Sequence, residues 1–371
     1  MQSAITGTGL WVPEESISNQ ELVDSHRAAV EAWNAANAAE IAAGRAEARD
    51  ASTDAWIVRA SGIRSRYVIE KSGLLDPARQ KPHLPLRAES ELSVQAEIAV
   101  KAAHEALERA GRKGSDVDAV LVACSNLQRA YPAVAIEVQR AIGAGGYAYD
   151  LNVACSSATF GLQAACDAIA AGHARCALVV SPEITSGHNN FTLREYHFIF
   201  GDACTAVVVE PEDRASAGAF RVLASRLLTQ FSNNIRNDFG FLNSAEDGAR
   251  PPGDLLFRQN GRSVFREVCP LVSELILQQL AEAGRRPDQL RRLWLHQANL
   301  GMNDLIAKTV LGREPKPGEA PVILDEFANT SSAGSVIAFH RSHDDLAPGD
   351  LGVLCSFGAG YSIGSLLLER A

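Results

Sequence analysis

The sequence predicts an α/β fold of stacked helix and sheet layers. Three observations carry that expectation. Apolar runs of strand length stand at 119–123, 177–181 and 293–295; a helical pattern precedes each; and no stretch reaches the roughly 18 apolar residues of a membrane span. With 371 residues, the chain is long enough for a large core and for two domains or one duplicated one. Its 46% hydrophobic and 21% charged content is that of an ordinary globular protein. A net charge of -9 argues against a general nucleic-acid binder, which needs clustered Lys and Arg, so any acidic partner must meet a local basic patch.

The elements follow in order. Residues 3–10 read as a strand ending at a Gly-rich turn and Pro13; Gly7 and Gly9 lack the third glycine and the helix of a dinucleotide fingerprint. Asn19 is expected to cap a helix through Leu22 into the Ala-rich segment 27–49, where Val30, Trp33 and Ile41 share a stripe. Surface helices and a lid over a pocket both fit that segment. Residues 56–66 lead into a polar loop over 71–86, then a helix over 93–110, the 119–123 strand and a helix over 133–142. A strand over 147–153 meets a small-residue helix that runs to Gly172, and the 177–181 strand follows. Residues 198–210 hold a turn and a strand, and the acidic, Pro-containing run 211–214 divides the chain into halves 1–212 and 213–371. The second half repeats the style, with a strand at 220–228, a helix over 261–283 and a strand over 290–295.

Cys155 sits where the 147–153 strand meets its helix. Unpaired N–H groups and the positive end of a helix dipole favour a thiolate, so its pKa is expected to fall well below about 8.5. Ser156, Ser157 and Ala158 leave room for a bulky partner at the sulfur. The seven cysteines show no C-x-x-C spacing, so neither a disulfide framework nor a metal site is expected, and reduced thiols with no secretory leader read as cytoplasmic.

Three further apolar stretches end in chemistry. The 293–295 strand stops at His296; of nine histidines only this one ends an apolar run, the others being read mainly as surface or capping residues. A strand over 322–325 precedes Asn329 and small hydroxyl residues. A strand over 351–357 enters a Gly-rich turn at Gly358–Gly360, where backbone N–H groups are free to approach a reacting carbonyl. Functional residues of α/β sheets gather at one end of the strands, so these sites are expected to converge. Papain-like proteases also order Cys, His and Asn this way, and here the separations are 296 - 155 = 141 and 329 - 296 = 33. Against that rival, Cys155 follows a long α/β region and the protease signature around the cysteine is missing.

As a set, Ile5-Thr-Gly-Thr-Gly9, Trp56-Ile-Val58, Gly62-Ile-Arg-Ser-Arg66, Ala154-Cys-Ser-Ser157, Phe200-Gly-Asp202, His296-Gln-Ala-Asn299, Asn329-Thr-Ser331 and Phe357-Gly-Ala-Gly360 resemble the β-ketoacyl-[acyl-carrier-protein] synthase III enzymes of the thiolase superfamily. The resemblance implies a thiolase-like duplicated α/β/α/β/α sandwich, usually a homodimer. It implies Cys155, His296 and Asn329 as catalytic residues and the N–H groups of Cys155 and Ala359 as an oxyanion hole. Asn329 excludes the sister enzymes with two histidines. No cofactor is implied beyond acyl-CoA as substrate, with malonyl carrier protein as the second partner and neither nucleic acid nor membrane.

The same resemblance implies Trp56, Tyr131, Phe200 and Phe357 as substrate-binding residues. Two readings stay open for Tyr131: a gauge of acyl length in the neighbouring subunit, or an interface aromatic. Arg258, Arg262 and Arg266 match a face that docks the carrier protein, or form a solvated charge face. Ala60 and Gly301 stand where acetyl-CoA-using members carry Arg, which with the segments 27–49 and 71–86 points away from acetyl-CoA and toward a medium-length donor. Within the superfamily, head-to-head condensation without decarboxylation and a specialised aromatic or polyketide product are the competing reactions.

Overall fold

A computed structural model describes residues 2–216, 218–238, 240, 245, 248 and 255–371. Strand β1 (Ser3–Trp11) opens the main sheet, and a two-stranded ribbon, β2 (Glu15–Ser18) with β3 (Ser65–Val68), brackets the first helical region. That region holds α1 (Asn19–Ala36), α2 (Ala38–Ala42) and α3 (Asp54–Ser61). Ser18, not Asn19, caps α1. Its hydroxyl accepts the Glu21 N–H while the Glu21 carboxylate accepts the Ser18 N–H, a reciprocal capping box. Asn19 is buried instead, donating from its amide to Asp54 and to the Ile63 carbonyl, both at 2.8 Å.

A one-turn helix, α4 (Ser72–Leu75), interrupts the expected loop 71–86 because Gly73 and Leu74 are buried there. The alternation then runs as α5 (Val94–Ala110), β4 (Ala119–Ala123), α6 (Val134–Ile142), β5 (Tyr147–Leu151), α7 (Ser157–Ala170), β6 (Ala177–Glu183) and β7 (Ala203–Pro211). After it come β8 (Phe220–Thr229), a small ribbon of β9 (Ile235–Arg236) with β10 (Arg258–Gln259), α8 (Gly261–Glu282), β11 (Leu290–Leu295) and α9 (Leu300–Leu311). The chain closes with α10 (Leu324–Phe327), α11 (Ala333–Arg341), β12 (Leu351–Gly358) and β13 (Ser362–Arg370). The strand expected at 322–325 is the one-turn α10. Its apolar run reflects burial of Leu324 and Phe327 rather than sheet pairing, and Ile323 N–H is taken by the Gln297 side chain at 3.0 Å.

Nine strands form one mixed sheet in the order β11-β12-β13-β8-β1-β7-β6-β4-β5. The order repeats itself. β1 is antiparallel to β7, β7 antiparallel to β6 and β6 parallel to β4; β8, β13, β12 and β11 follow the same sequence of senses. The two sets meet through a short β1–β8 pairing, Ala4 with Arg221 and Ile5 with Phe220. Helices α7 and α11 contact strands of both sets and enclose the apolar core that includes Leu162, Phe220, Trp294 and Phe339. Outside them, α5 and α6 cover one set, and α8 and α9 the other. The result is an α/β/α/β/α sandwich.

Gly7 and Gly9 have a packing role in that sandwich. A Cβ on Gly9 would lie 2.0 Å from the Ala102 carbonyl oxygen and one on Gly7 2.2 Å from that of Ala106. Strand β1 therefore rests on the backbone of α5, whose facing residues Ala102, Ala103 and Ala106 are also small. This settles the backbone plane at the centre of the sheet. From it the parallel strands β4, β5 and β6 end on one side with Cys155 and Glu183 beyond or at their ends, as β11 and β12 end at His296 and Gly358.

Candidate active site

The Cys155 loop is tightly constrained. Ala154 has φ +48°, a left-handed conformation costly for a residue with a Cβ. The turn is held by its neighbours: Ser157 Oγ donates to the Ala154 carbonyl at 2.7 Å and accepts the Val153 N–H at 2.8 Å. Ser156 reaches across the seam, donating to the Ser362 carbonyl at 3.0 Å, so the Cys155 loop is tied to the β12–β13 hairpin. Gly358 lies against the cysteine. A Cβ there would stand 2.6 Å from Cys155 Cβ and 3.0 Å from Sγ, so the hairpin backbone can come this close only as glycine.

Burial pushes the Cys155 thiol up to about 11. The Ser331 hydroxyl, 3.4 Å from Sγ, and the N–H groups of Ala359 and Cys155 itself oppose the rise, while Glu183 adds to it. This reverses the expectation from position alone. The protein packed around the sulfur outweighs the favourable backbone dipoles and favours the protonated thiol.

His296 follows β11, its N–H donating to the Cys355 carbonyl at 2.8 Å and its ring edge-on to Phe357 at 5.3 Å between centroids. Burial holds the imidazole down to about 4, with the Ser331 backbone working the other way, so it is neutral near pH 7. Asn329 is anchored by its backbone: its N–H donates to Ile199 at 2.9 Å and its carbonyl accepts from Gly201 at 3.1 Å. Asp202 holds that partner segment through the N–H groups of Ser186 and Ile69, which accounts for the Phe200-Gly-Asp202 pattern. The Asn329 Oδ1 accepts the Ser331 N–H at 2.9 Å, which assigns the amide orientation and leaves its –NH2 to face outward from that turn as a donor.

Cys155, His296 and Asn329 share one cavity of about 870 Å³. Trp56, Phe200 and Phe357 line it as well, and so does Arg262. Arg258 pairs with Asp238 at 3.0 Å, and Arg266 is exposed with a loose contact to Glu267 at 3.7 Å. Tyr131 does not line its own chain's cavity; it is 85% exposed. Ala60 is in the wall, while Gly301 opens α9 with its N–H on Asn299 Oδ1 at 2.9 Å. Among the described residues no cluster is placed to hold a metal, and no helix is long and apolar enough to cross a membrane.

Two features were not anticipated from sequence. Arg194 lies over the Trp56 ring at 4.6 Å, making a flat cationic surface beside the cavity, and Ser331 touches the sulfur from a φ of +50°. The run Asn329-Thr-Ser-Ser332 held the only sequence signal for Ser331; Arg194 had none. A third correction concerns the histidines. Six of the nine are buried, including His26, stacked on His197 at 4.3 Å, and His188, which packs on Phe200.

Residues 149–230 match the model of 3-oxoacyl-[acyl-carrier-protein] synthase III, and residues 280–370 match its C-terminal model. The chain is 57% identical to the β-ketodecanoyl-[acyl-carrier-protein] synthase of Pseudomonas aeruginosa, over 94% of this chain and 100% of that one. It is 31% identical to a β-ketoacyl-[acyl-carrier-protein] synthase III of Rhizobium meliloti, covering 100% and 99%. The crystal structure of a 3-oxoacyl-(acyl carrier protein) synthase III from Pseudomonas aeruginosa superimposes with a TM-score of 0.76 at 25% identity, covering 100% and 98%.

Proposed function

The chain belongs to the 3-oxoacyl-[acyl-carrier-protein] synthase III family of condensing acyltransferases, and from that premise we propose that it joins an acyl-CoA near eight carbons to malonyl carrier protein with loss of carbon dioxide. The supporting observation is the convergence of Cys155, His296 and Asn329 on one cavity. Cys155 Sγ attacks the thioester carbon, the C–S bond to CoA breaks, and the thiol proton leaves with the departing sulfur. The oxyanion is held by the N–H groups of Cys155 and Ala359. Malonyl thioester then loses its carboxylate as CO2. The enolate oxygen takes hydrogen bonds from neutral His296 and from the Asn329 –NH2, the carbanion attacks the acyl-cysteine, the C–S bond to Cys155 breaks to release β-ketoacyl carrier protein, and the Cys155 thiolate takes a proton from water. No cofactor enters this scheme beyond the acyl-CoA substrate.

Donor length rests on two supports. The Pseudomonas aeruginosa relative is named for a ten-carbon ketoacyl product, which two-carbon extension makes from eight. The cavity wall is largely apolar, including Ile63, Phe198, Phe257, Val264 and Met302. At about 0.8 kcal/mol per buried methylene, six more than acetyl carries represent roughly 5 kcal/mol available for selection. A panel of acyl-CoAs with malonyl carrier protein, read by product mass, is expected to peak near eight carbons. Equal turnover of acetyl-CoA would remove the length assignment, and a ketone made from two acyl-CoAs without malonyl carrier protein would replace the decarboxylative reading with the head-to-head one.

We further propose a homodimer formed along β5, the sheet edge, where Tyr147 and Tyr149 stack in the open. Asp150 on that strand accepts the N–H groups of Val134 and Ala135, both at 2.8 Å, which ties the start of α6 to the same edge, and the exposed Tyr131 just before that helix is proposed to reach a partner's cavity from there. Sedimentation of a Tyr149→Lys variant as monomer, against a dimeric parent, is the expected result. Arg262 and Arg266 are proposed to meet the acidic carrier, with Arg258 secondary because Asp238 already engages it. Arg262→Glu is expected to raise the Michaelis constant for malonyl carrier protein about tenfold. All seven cysteines are free, which fits a cytoplasmic enzyme.

A further inference from the structure

Glu183 ends β6 with its carboxyl group fully buried, and among the described residues no cation pairs with it. Its hydrogen bonds go to two loops. Oε1 accepts the N–H of Ser125 at 2.9 Å and that of Ser332 at 3.3 Å and also meets the Ser332 hydroxyl; Oε2 accepts the Ser125 hydroxyl at 2.6 Å. One loop reaches the thiol through Asn152, and the other carries the amide. The Ser125 carbonyl takes the Asn152 amide at 3.0 Å, and Asn152 Oδ1 holds the N–H of Ala154 at 2.9 Å, one residue before the nucleophile. Ser332 follows Ser331, whose hydroxyl bonds Cys155 Sγ and whose N–H orients the Asn329 amide. The carboxyl group thus joins the turn carrying the sulfur to the turn carrying the amide, although these lie 174 residues apart (329 - 155).

A buried carboxyl group is costly and is tolerated where hydrogen bonds satisfy it. Two bonds to the Asn329–Ser332 turn, two to the Ser125 loop that holds the Cys155 turn through Asn152, and none to a cation are what a clamp requires. We propose that Glu183 is a positioning residue that holds the Cys155 turn and the Asn329–Ser332 turn in register, so that thiol and carboxamide face the same reacting carbon. The inference rests on the condensing reading above and adds to it a residue that touches neither substrate nor Sγ. The shape of the clamp survives in Glu183→Gln, whose amide oxygen can take the three Oε1 contacts while Ser125 Oγ rotates to accept from the –NH2. It does not survive in Glu183→Leu.

The test uses the full-length enzyme with octanoyl-CoA and malonyl carrier protein. Glu183→Leu, shown folded by circular dichroism, is expected to lower kcat at least about a hundredfold with the octanoyl-CoA KM within about twofold, while Glu183→Gln stays within about threefold of the parent. A carboxyl group serving stability alone would shift the urea midpoint and leave kcat per folded molecule unchanged. A folded Leu variant with kcat within threefold of the parent, or a Gln variant as impaired as Leu, overturns the proposal. Should Glu183→Leu not fold, Ser332→Ala decides: kcat about tenfold lower at unchanged KM is expected, and unchanged kcat overturns the clamp. Alkylation of Cys155 by iodoacetamide supplies a readout without substrate. Loosening the turn is expected to speed it at least fivefold at pH 8 in the Leu variant, or in Ser332→Ala if Leu does not fold, and an unchanged rate counts against the clamp. A parent enzyme that makes no β-ketoacyl product sinks the condensing reading; an active parent with unaffected variants sinks only the role of Glu183.

Discussion

At Asn329, one backbone N–H determines which end of the amide is left free as a donor. Because Ser331 N–H occupies Oδ1, the –NH2 is turned out as a donor, and a donor is what an enolate oxygen needs. Removing one such donor typically costs about 2.7 to 4 kcal/mol. Asn329→Ala is therefore expected to slow malonyl decarboxylation at least about a hundredfold while Cys155 is still acylated. Carbon dioxide release and intact-mass spectrometry measure the two separately, and unchanged release would take Asn329 out of the mechanism. The types and order of Cys155, His296 and Asn329 were legible in sequence, although Asn329 follows the one-turn α10 rather than a strand. The protonation of the thiol was not: proximity to a helix start argues for a low pKa, and only the depth of burial, which long-range packing sets, reverses it to about 11.

Among the secondary-structure elements, the most informative contact is β1 against α5. Gly9 and Ala102 approach so closely that any side chain on Gly9 must displace helix backbone rather than a flexible group. Gly9→Ala is expected to destabilise by about 3 kcal/mol, the upper part of the overpacking range, with a lower urea midpoint and unchanged turnover per folded molecule. A shift under about 1 kcal/mol would mean that the two elements can separate without cost. Elements with one strong local signal were read closely: β4 is Ala119–Ala123 in both sequence and structure, and α8 starts at Gly261 as expected. Those without such a signal were missed. The ribbon β2–β3 is made of two four-residue strands whose partners lie about fifty residues apart, and α10 is a single buried turn inside an apolar run that looks like a strand.

Across the whole molecule, buried neutral histidines define a pH limit. Burial holds His188, His296 and His340 each down to about 4, and lowers His26, His197 and His343 as well. Above the unfolded value near 6.5, both states carry neutral rings and stability is at its full value. As pH falls below 6.5 the unfolded chain binds protons that the folded chain refuses, and stability drops by up to about 1.4 kcal/mol per pH unit for each such ring until its folded pKa is reached. The Tm is expected to fall steeply between pH 6.5 and about 4; a flat profile over that window would show that these rings are protonated in the fold.

The amino-acid sequence by itself determined the layered class, the length and place of most strands and helices, and the chemical types at the strand ends. Those properties follow from local periodicity and from which side chains can carry a nucleophile, a base or an amide donor. Tertiary structure alone decided that Cys155, His296 and Asn329 open onto one cavity, and that Glu183 bridges the turns of Cys155 and Asn329. Both depend on groups far apart along the chain being brought together, up to 174 residues between Cys155 and Asn329 (329 - 155), and no pattern of neighbours along the chain encodes that distance.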